Sequence, residues 1–191
     1  FFGGLVNSTA TAMEMAQKAR DGDPAIEEFA FRGVMWAKTA AFLRNAVILG
    51  IFAPSALPGG ILPIGLMLAV SLYYALRGAR RAAIEPPELV LESPFSLKAA
   101  LQFGLLFAII TAVGNVAQTV LGVFGFYAVS FAGGMISSSS TAATAANFVM
   151  LGQITPVEAG ASVVISSIAS ALVILPLVWR TAGKSLGRRV A

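Results

Sequence analysis

An all-α integral membrane fold, built as a polytopic helical bundle, is the class this sequence predicts, and three observations carry it. Hydrophobic residues make up 57% of the 191 and charged residues 12%, whereas a soluble domain carries about 25% charged residues. The apolar residues are gathered in runs of about 16–25, enough for a helix to cross roughly 30 Å of hydrocarbon and unlike the alternating segments of a membrane barrel. A Gly-Gly element followed by hydroxyls occurs twice. The chain has no Cys and no His, which removes disulfides, zinc and thiolate sites, haem ligation and His-dependent triads. No cofactor and no metal site are expected. The net charge of +4 does not indicate a nucleic-acid partner, because Lys and Arg lie at the ends of apolar runs and not on one polar face; membrane topology accounts for them.

In chain order, Phe31 to Phe52 is the first predicted span, with the acidic stretch Asp21 to Glu28 before it and Pro54 after it. Ala53 to Gly60, holding Pro54, Pro58, Gly59 and Gly60, reads as an uncharged turn. Ile61 to Leu76 is the second span, extendable because Arg77, Arg80 and Arg81 can snorkel to the interface. Arg77 to Lys98 is the one strongly polar interior stretch and reads as an exposed loop. Leu97 to Leu121 is the third span, opened by Ser93-Pro94-Phe95-Ser96. Val123 to Leu151 is apolar but interrupted by Gly133-Gly134 and by Ser137 to Ser140. Val157 to Trp179 is the last span, entered through Thr155-Pro156.

Phe1 to Ala16 aligns without gaps on Phe131 to Ala146, with seven identities in sixteen positions. Two copies of Gly-Gly with a hydroxyl-rich helix start predict two pseudo-symmetric repeats. The halves are 1–76 and 97–180, joined by the polar loop 77–96, in a single membrane domain 1–191. The chain begins at Phe1, inside the first copy, and is expected to be N-terminally incomplete. Lys18, Arg20 and Arg32, then Arg77, Arg80, Arg81 and Lys98, then Arg180, Lys184, Arg188 and Arg189 mark three regions that the positive-inside rule makes cytoplasmic, the C-terminus included. Three full crossings between Lys98 and Arg180 would violate that rule. A second copy that enters and returns, breaking at Gly133-Gly134, satisfies it and makes the repeats inverted, each with a broken or re-entrant segment. The rival is a full crossing with an exceptional tail.

Broken helices are tolerated in lipid only where protein or water satisfies the freed backbone groups, so the two copies are candidates to line a site. The first offers Asn7, Ser8, Thr9 and Thr11, with Glu14 one turn beyond; the second offers Ser137, Ser138, Thr141 and Thr144, Thr144 standing where Glu14 stands. Hydroxyls, carbonyls and one carboxylate suit a partly dehydrated monovalent cation or a neutral polar solute, and suit Mg²⁺ poorly. Close helix packing through small residues is the alternative. Arg44-Asn45 lies inside the first span, where a charge is costly unless paired or hydrated; Glu14 is the expected partner, and the alternative is a tilted helix from which Arg44 snorkels. Asn115 and Gln118 either bond across helices or face the same cavity. Ser162, Ser166 and Ser170 recur every four residues as a packing stripe.

Gly3-Gly-Leu-Val-Asn-Ser-Thr-Ala-Thr-Ala12, Phe42-Leu-Arg44, Ser93-Pro-Phe-Ser-Leu-Lys98 and Phe103-Gly-Leu-Leu-Phe107 together resemble the C-terminal membrane domain, of uncharacterised function, of bacterial MgtC/SapB-type proteins. The resemblance implies the bacterial inner membrane and a possible upstream MgtC-like domain. It departs at Ser137 to Thr141, where that family often carries Asp. The expected function is a transporter or channel for a small ion or polar solute. The alternative is a non-transporting subunit that binds or regulates another membrane protein. Expected partners are the lipid bilayer and other membrane helices, from that upstream domain or a homo-oligomer. An enzyme is not expected, since no His or Lys base stands near a membrane Ser.

Overall fold

The structure is a computed structural model that describes residues 2–19, 24–77 and 97–182. The polar loop from residue 78 to 96, with Arg80 and Arg81, and the basic residues after 182 lie outside the described residues. Among those described, all regular structure is helical: α1 (Phe2–Lys18), α2 (Pro24–Phe52), a 3-10 turn (Pro54–Ala56), α3 (Leu57–Leu76), α4 (Leu97–Leu121), α5 (Val123–Met150) and α6 (Pro156–Ala182). Four stretches are long and apolar enough to cross a membrane, Ile26–Phe52, Pro54–Leu76, Ala100–Leu121 and Pro156–Val178, and α5 is not among them.

Three boundaries differ from the sequence-based expectation, each for a local reason. Helix α2 starts at Pro24, not Phe31. Proline suits the start of a helix because its missing N–H has no helical partner there, and Glu27 in the first turn complements the helix dipole. The turn expected over 53–60 shrinks to Pro54–Ala56, and Pro58, Gly59 and Gly60 become the first turn of α3. Helix α6 begins one residue earlier than expected, at Pro156. There Thr155 and Glu158 form a reciprocal cap: the Thr155 N–H donates to Glu158 Oε2 at 2.7 Å and the Glu158 N–H to Thr155 Oγ1 at 3.3 Å.

The chain divides into two compact units, one of Phe1–Ala41, Met67–Ser96 and Val173–Ala191, the other of Phe42–Leu66 and Leu97–Leu172. These differ from the halves 1–76 and 97–180, because α2, α3 and α6 each pack different neighbours along their length and contribute to both. In the first unit, α1 lies on the start of α2. A Cβ at Gly4 would stand 2.5 Å from Ala37 Cα, and one at Gly33 would stand 2.7 Å from Met15 Sδ, so both glycines are needed for this approach. Ala12, Met15, Ala16, Val34, Ile174 and Val178 form the core. Thr39 donates to Ser71 Oγ at 2.9 Å, Arg32 Nε donates to the Ala75 carbonyl at 3.1 Å, and Phe31 meets Tyr74 edge-on at 6.1 Å.

In the second unit, α3 and α6 touch through glycine, a Cβ at Gly160 standing 2.7 Å from the Gly59 carbonyl carbon. Leu49, Ile64, Phe126, Phe148 and Val163 are among its core residues. Helix α4 passes to α5 through Gly122, at φ 62° and ψ −152°, a region reserved for glycine. On the outside, Leu62 is 81% exposed and Val116 64%, an apolar surface for which a bilayer is the fitting solvent.

Candidate functional site

Helix α5 doubles back on itself. Phe126 and Phe148, 22 positions apart, stack with centroids 4.9 Å apart, whereas a straight helix would separate them by about 33 Å. A Cβ at Gly133 would lie 2.7 Å from Thr141 Oγ1, again impossible along a straight helix. The reversal is made at Ser137, whose backbone is extended at φ −154° and ψ 97°. The break is therefore three residues beyond the Gly133-Gly134 pair at which it was expected. The reason is capping: Ser137 Oγ accepts from the Ser140 N–H at 3.3 Å, as an N-cap does for the third amide of a helix. The glycines serve close approach instead. Gly133 faces Thr141, and a Cβ at Gly134 would stand 2.5 Å from Ser166 Cα.

Helix α1 repeats these details at the aligned positions. Asn7 is extended at φ −149° and ψ 96°, and its Oδ1 accepts from the Ala10 N–H at 3.0 Å. Thr11 Oγ1 donates to the Asn7 carbonyl at 3.0 Å, as Thr141 Oγ1 does to the Ser137 carbonyl at 3.0 Å. A Cβ at Gly3 would lie 2.8 Å from Thr11 Oγ1, the counterpart of Gly133 and Thr141. Each break interrupts the helical ladder, leaving carbonyls of the preceding turn and amides of the following one without helical partners. Such groups, with the hydroxyls beside them, can bind an ion or polar solute, or can be satisfied by protein and water.

Of the residues expected to line a site, the first unit holds Asn7, Ser8, Thr9, Thr11 and Glu14, and the second holds Arg44, Asn45, Asn115, Gln118, Ser137, Ser138, Thr141 and Thr144. Ser8 and Ser138, each directly after its break, are 5% and 4% exposed. Thr9 is half-buried and Glu14 exposed. Ser137 Oγ also lies 2.9 Å from Ser140 Oγ, and Thr144 Oγ1 lies 3.0 Å from Thr111 Oγ1 on α4. Asn45 is fully buried, its Nδ2 donating to Ser167 Oγ at 3.1 Å, while its Oδ1 has no hydrogen-bond partner. Arg44, its neighbour in sequence, is half-buried. Asn115 and Gln118 part company: Asn115 is exposed, and Gln118 Nε2 donates to the Gln153 carbonyl at 3.4 Å.

Sequence reasoning missed the α4 side of this arrangement. Ser140 Oγ donates to the Phe103 carbonyl at 3.4 Å, Thr111 meets Thr144, and a Cβ at Gly133 would be 3.3 Å from Ile110 Cδ1. Thr111 is one of two hydroxyls, with Thr119, in an otherwise largely apolar span, a signal that was available. The role of the Phe103 carbonyl had none, since a backbone contact has no sequence signature. Ser166, placed in a packing stripe, bonds its own helix at the Val163 carbonyl and offers its backbone to Gly134. Among the described residues no group of three or more His, Cys, Asp or Glu stands together.

No curated protein and no solved structure matches this sequence. One family model does, that of a domain of unknown function, DUF4010, over residues 1–182. It supplies no link to MgtC/SapB-type proteins, so that finer resemblance stands on the motifs alone. With nearly its whole length matched, the chain belongs to the DUF4010 family, a family of uncharacterised domains.

Proposed function

We propose that this chain is a multi-pass inner-membrane protein of transporter or channel type, in which the breaks at Asn7 and Ser137 are the tips of two re-entrant segments related by an internal repeat. The observation that carries this reading is the recurrence of one set of details at aligned positions: an extended residue, a side-chain cap, a threonine back-bond and a glycine facing that threonine. Each arm of α5, about 13 residues, reaches roughly 20 Å, short of the roughly 30 Å hydrocarbon core. With α5 returning to the side it entered, α4 and α6 bring the chain from one basic region to the next, and α2 with α3 does the same earlier. All the basic regions are then cytoplasmic, the C-terminus included, and the two re-entrant segments enter from opposite faces.

The hydroxyls and freed carbonyls favour a small monovalent cation or a neutral polar solute. In proteoliposomes, flux of Na⁺, H⁺, Mg²⁺ and small anions is measured for the wild type, for Arg44→Ala and for a variant carrying both Ser138→Ala and Thr141→Ala. Selective flux that falls at least about tenfold in the double variant, with its circular dichroism unchanged, supports the reading; loss of one pre-organised set of polar contacts is worth that much. No flux of any solute removes the transport reading. The topology is tested separately by introducing one cysteine at Asn7 or at Ser137 into this cysteine-free chain: labelling of both from the same face of the membrane refutes the inverted repeat.

A second reading, a non-transporting subunit, is favoured by one observation. The backbone contacts of Gly134 with Ser166 and of Gly160 with Gly59 are those of tightly packed membrane helices. It gains if the Ser137 cysteine is protected from both faces.

A further inference from the structure

Asn45 carries a cost that its protein neighbours do not meet. It is fully buried, its Nδ2 donates to Ser167 Oγ at 3.1 Å, and its Oδ1 has no hydrogen-bond partner. A buried acceptor in that state bears its whole desolvation penalty, and such an atom points to a bound ion or water. Its place in the fold narrows the choice. Asn45, Gly134, Ser137 and Ser167 all belong to the second unit. A Cβ at Gly134 would stand 2.5 Å from Ser166 Cα, so α5 and Asn45 meet α6 at successive residues, and Ser137 follows Gly134 by at most about 11 Å of chain. The orphaned oxygen is thus in the neighbourhood of the break, whose preceding turn has carbonyls without helical partners.

We propose that the Asn45 side-chain oxygen is a ligand of a buried monovalent-cation site between α2 and α6, beside the break at Ser137. This rests on the reading of that break as part of a polar site, but not on transport. The donors of the second unit select the chemistry. Ser140, Thr141 and Ser166 spend their hydroxyl protons on the carbonyls of Phe103, Ser137 and Val163, and Asn45 spends an amide proton on Ser167. What the hydroxyls and the Asn45 oxygen retain is lone pairs. Lone pairs suit a cation, and suit neither an anion nor a neutral solute that must both give and accept hydrogen bonds. A divalent ion is disfavoured twice. Among the described residues no group of three or more His, Cys, Asp or Glu stands together to hold one, and Arg44, the residue before Asn45, already brings a positive charge to this part of α2.

The test uses the intact chain in nanodiscs of zwitterionic lipid, with radioactive Na⁺ and Rb⁺ as probes. The wild type is expected to bind one or the other at about one ion per chain, and that ion, in place of an equal concentration of choline, to raise its unfolding temperature. Excess Mg²⁺ is expected to leave the bound ion in place. Asn45→Leu keeps the volume and removes the oxygen, and is expected to weaken binding at least about tenfold. Ser71→Ala, which removes a buried hydroxyl from the first unit, is expected to leave binding unchanged. Where Asn45→Leu does not fold, Asn45→Asp decides: its carboxylate is expected to tighten binding about tenfold, and an unchanged affinity overturns the proposal. Neither ion bound by the wild type, with an unfolding temperature indifferent to the cation, overturns it too, because water then meets the oxygen. So does equal binding by a folded Asn45→Leu variant, or displacement by Mg²⁺. Binding as expected with no flux of any solute leaves this site standing and removes transport alone, whereas flux without an ion bound at Asn45 removes this proposal alone.

Discussion

At Ser137 and at Asn7 the backbone turns through nearly the same angles, yet one turn is enclosed by a neighbouring helix and the other is open on that side. The contrast separates what each turn encodes for itself from what its surroundings add. The cap, the threonine back-bond and the facing glycine recur in both, so they are local properties of the Gly-Gly-x-x-(Asn/Ser)-Ser-x-x-Thr pattern. The groups that differ are Glu14 against Thr144 and Ala10 against Ser140, buried beside α4 in α5 and exposed in α1.

The largest expected effect probes a feature of α5 alone. Phe126 and Phe148 join its two arms inside the core of the second unit. Phe148→Ala removes that stack and leaves a cavity, and is expected to destabilise by about 3–5 kcal/mol. Unfolding in mixed micelles followed by circular dichroism measures it. A loss under about 1 kcal/mol, well below the usual cost of such a truncation, would mean that the arms are held by the turn and not by the aromatic pair.

The glycines test what the two turns share. Gly4→Ala and Gly134→Ala each place a Cβ against the backbone of a neighbouring helix, Ala37 in one unit and Ser166 in the other. Both are expected to cost about 1–3 kcal/mol through overpacking. Gly104→Ala on α4, where a Cβ meets nothing within 4 Å, is expected to be neutral or to stabilise by up to about 1 kcal/mol. If Gly134→Ala is costly and Gly4→Ala is not, the two turns share a shape but not a need for close backbone contact.

Much of this was legible in the sequence and some was not, for identifiable reasons. The spans were readable because apolar length is a direct physical requirement of the bilayer. The alignment of Phe1–Ala16 with Phe131–Ala146 placed Asn7 opposite Ser137, which is where the backbone departs from helix in both. The position of the break was misjudged because glycine was read as the weak point, whereas Ser137 supplies the capping oxygen that makes a break favourable. Pro58, Gly59 and Gly60 were read as breakers although a first helical turn tolerates them, and the acidic stretch Asp21 to Glu28 was read as lying before the helix although a first turn favours acidic residues. The division of α2, α3 and α6 between two units had no sequence signal, since a uniformly apolar helix does not reveal where its neighbours change.

The caps come next in size. Asn7→Ala and Ser137→Ala each remove the oxygen that accepts the third amide of the following helix and are expected to cost about 1 kcal/mol. Asn7→Ser and Ser137→Asn exchange one capping residue for the other and are expected to change stability by no more than a few tenths of that, since the two cap about equally well. Unequal losses for the alanine variants would show that the neighbour on α4, not the cap, holds the turn at Ser137.

The smallest effect isolates the contribution of α4. Thr111 and Thr144 face each other at 3.0 Å within the second unit, and Glu14 occupies the Thr144 position in the first. Hydrogen bonds between membrane helices average about 0.6 kcal/mol in double-mutant cycles. Thr111→Val, Thr144→Val and the double variant are expected to give a coupling near that value, because valine keeps the shape of threonine and removes only the hydroxyl. Glu14→Val removes neither hydroxyl of the Thr111–Thr144 pair, so its coupling to Thr111→Val is expected to be zero within error. A coupling between Glu14 and Thr111 as large as that between Thr144 and Thr111 would mean that both aligned positions answer to the same helix, and the distinction between an enclosed and an open turn would fall.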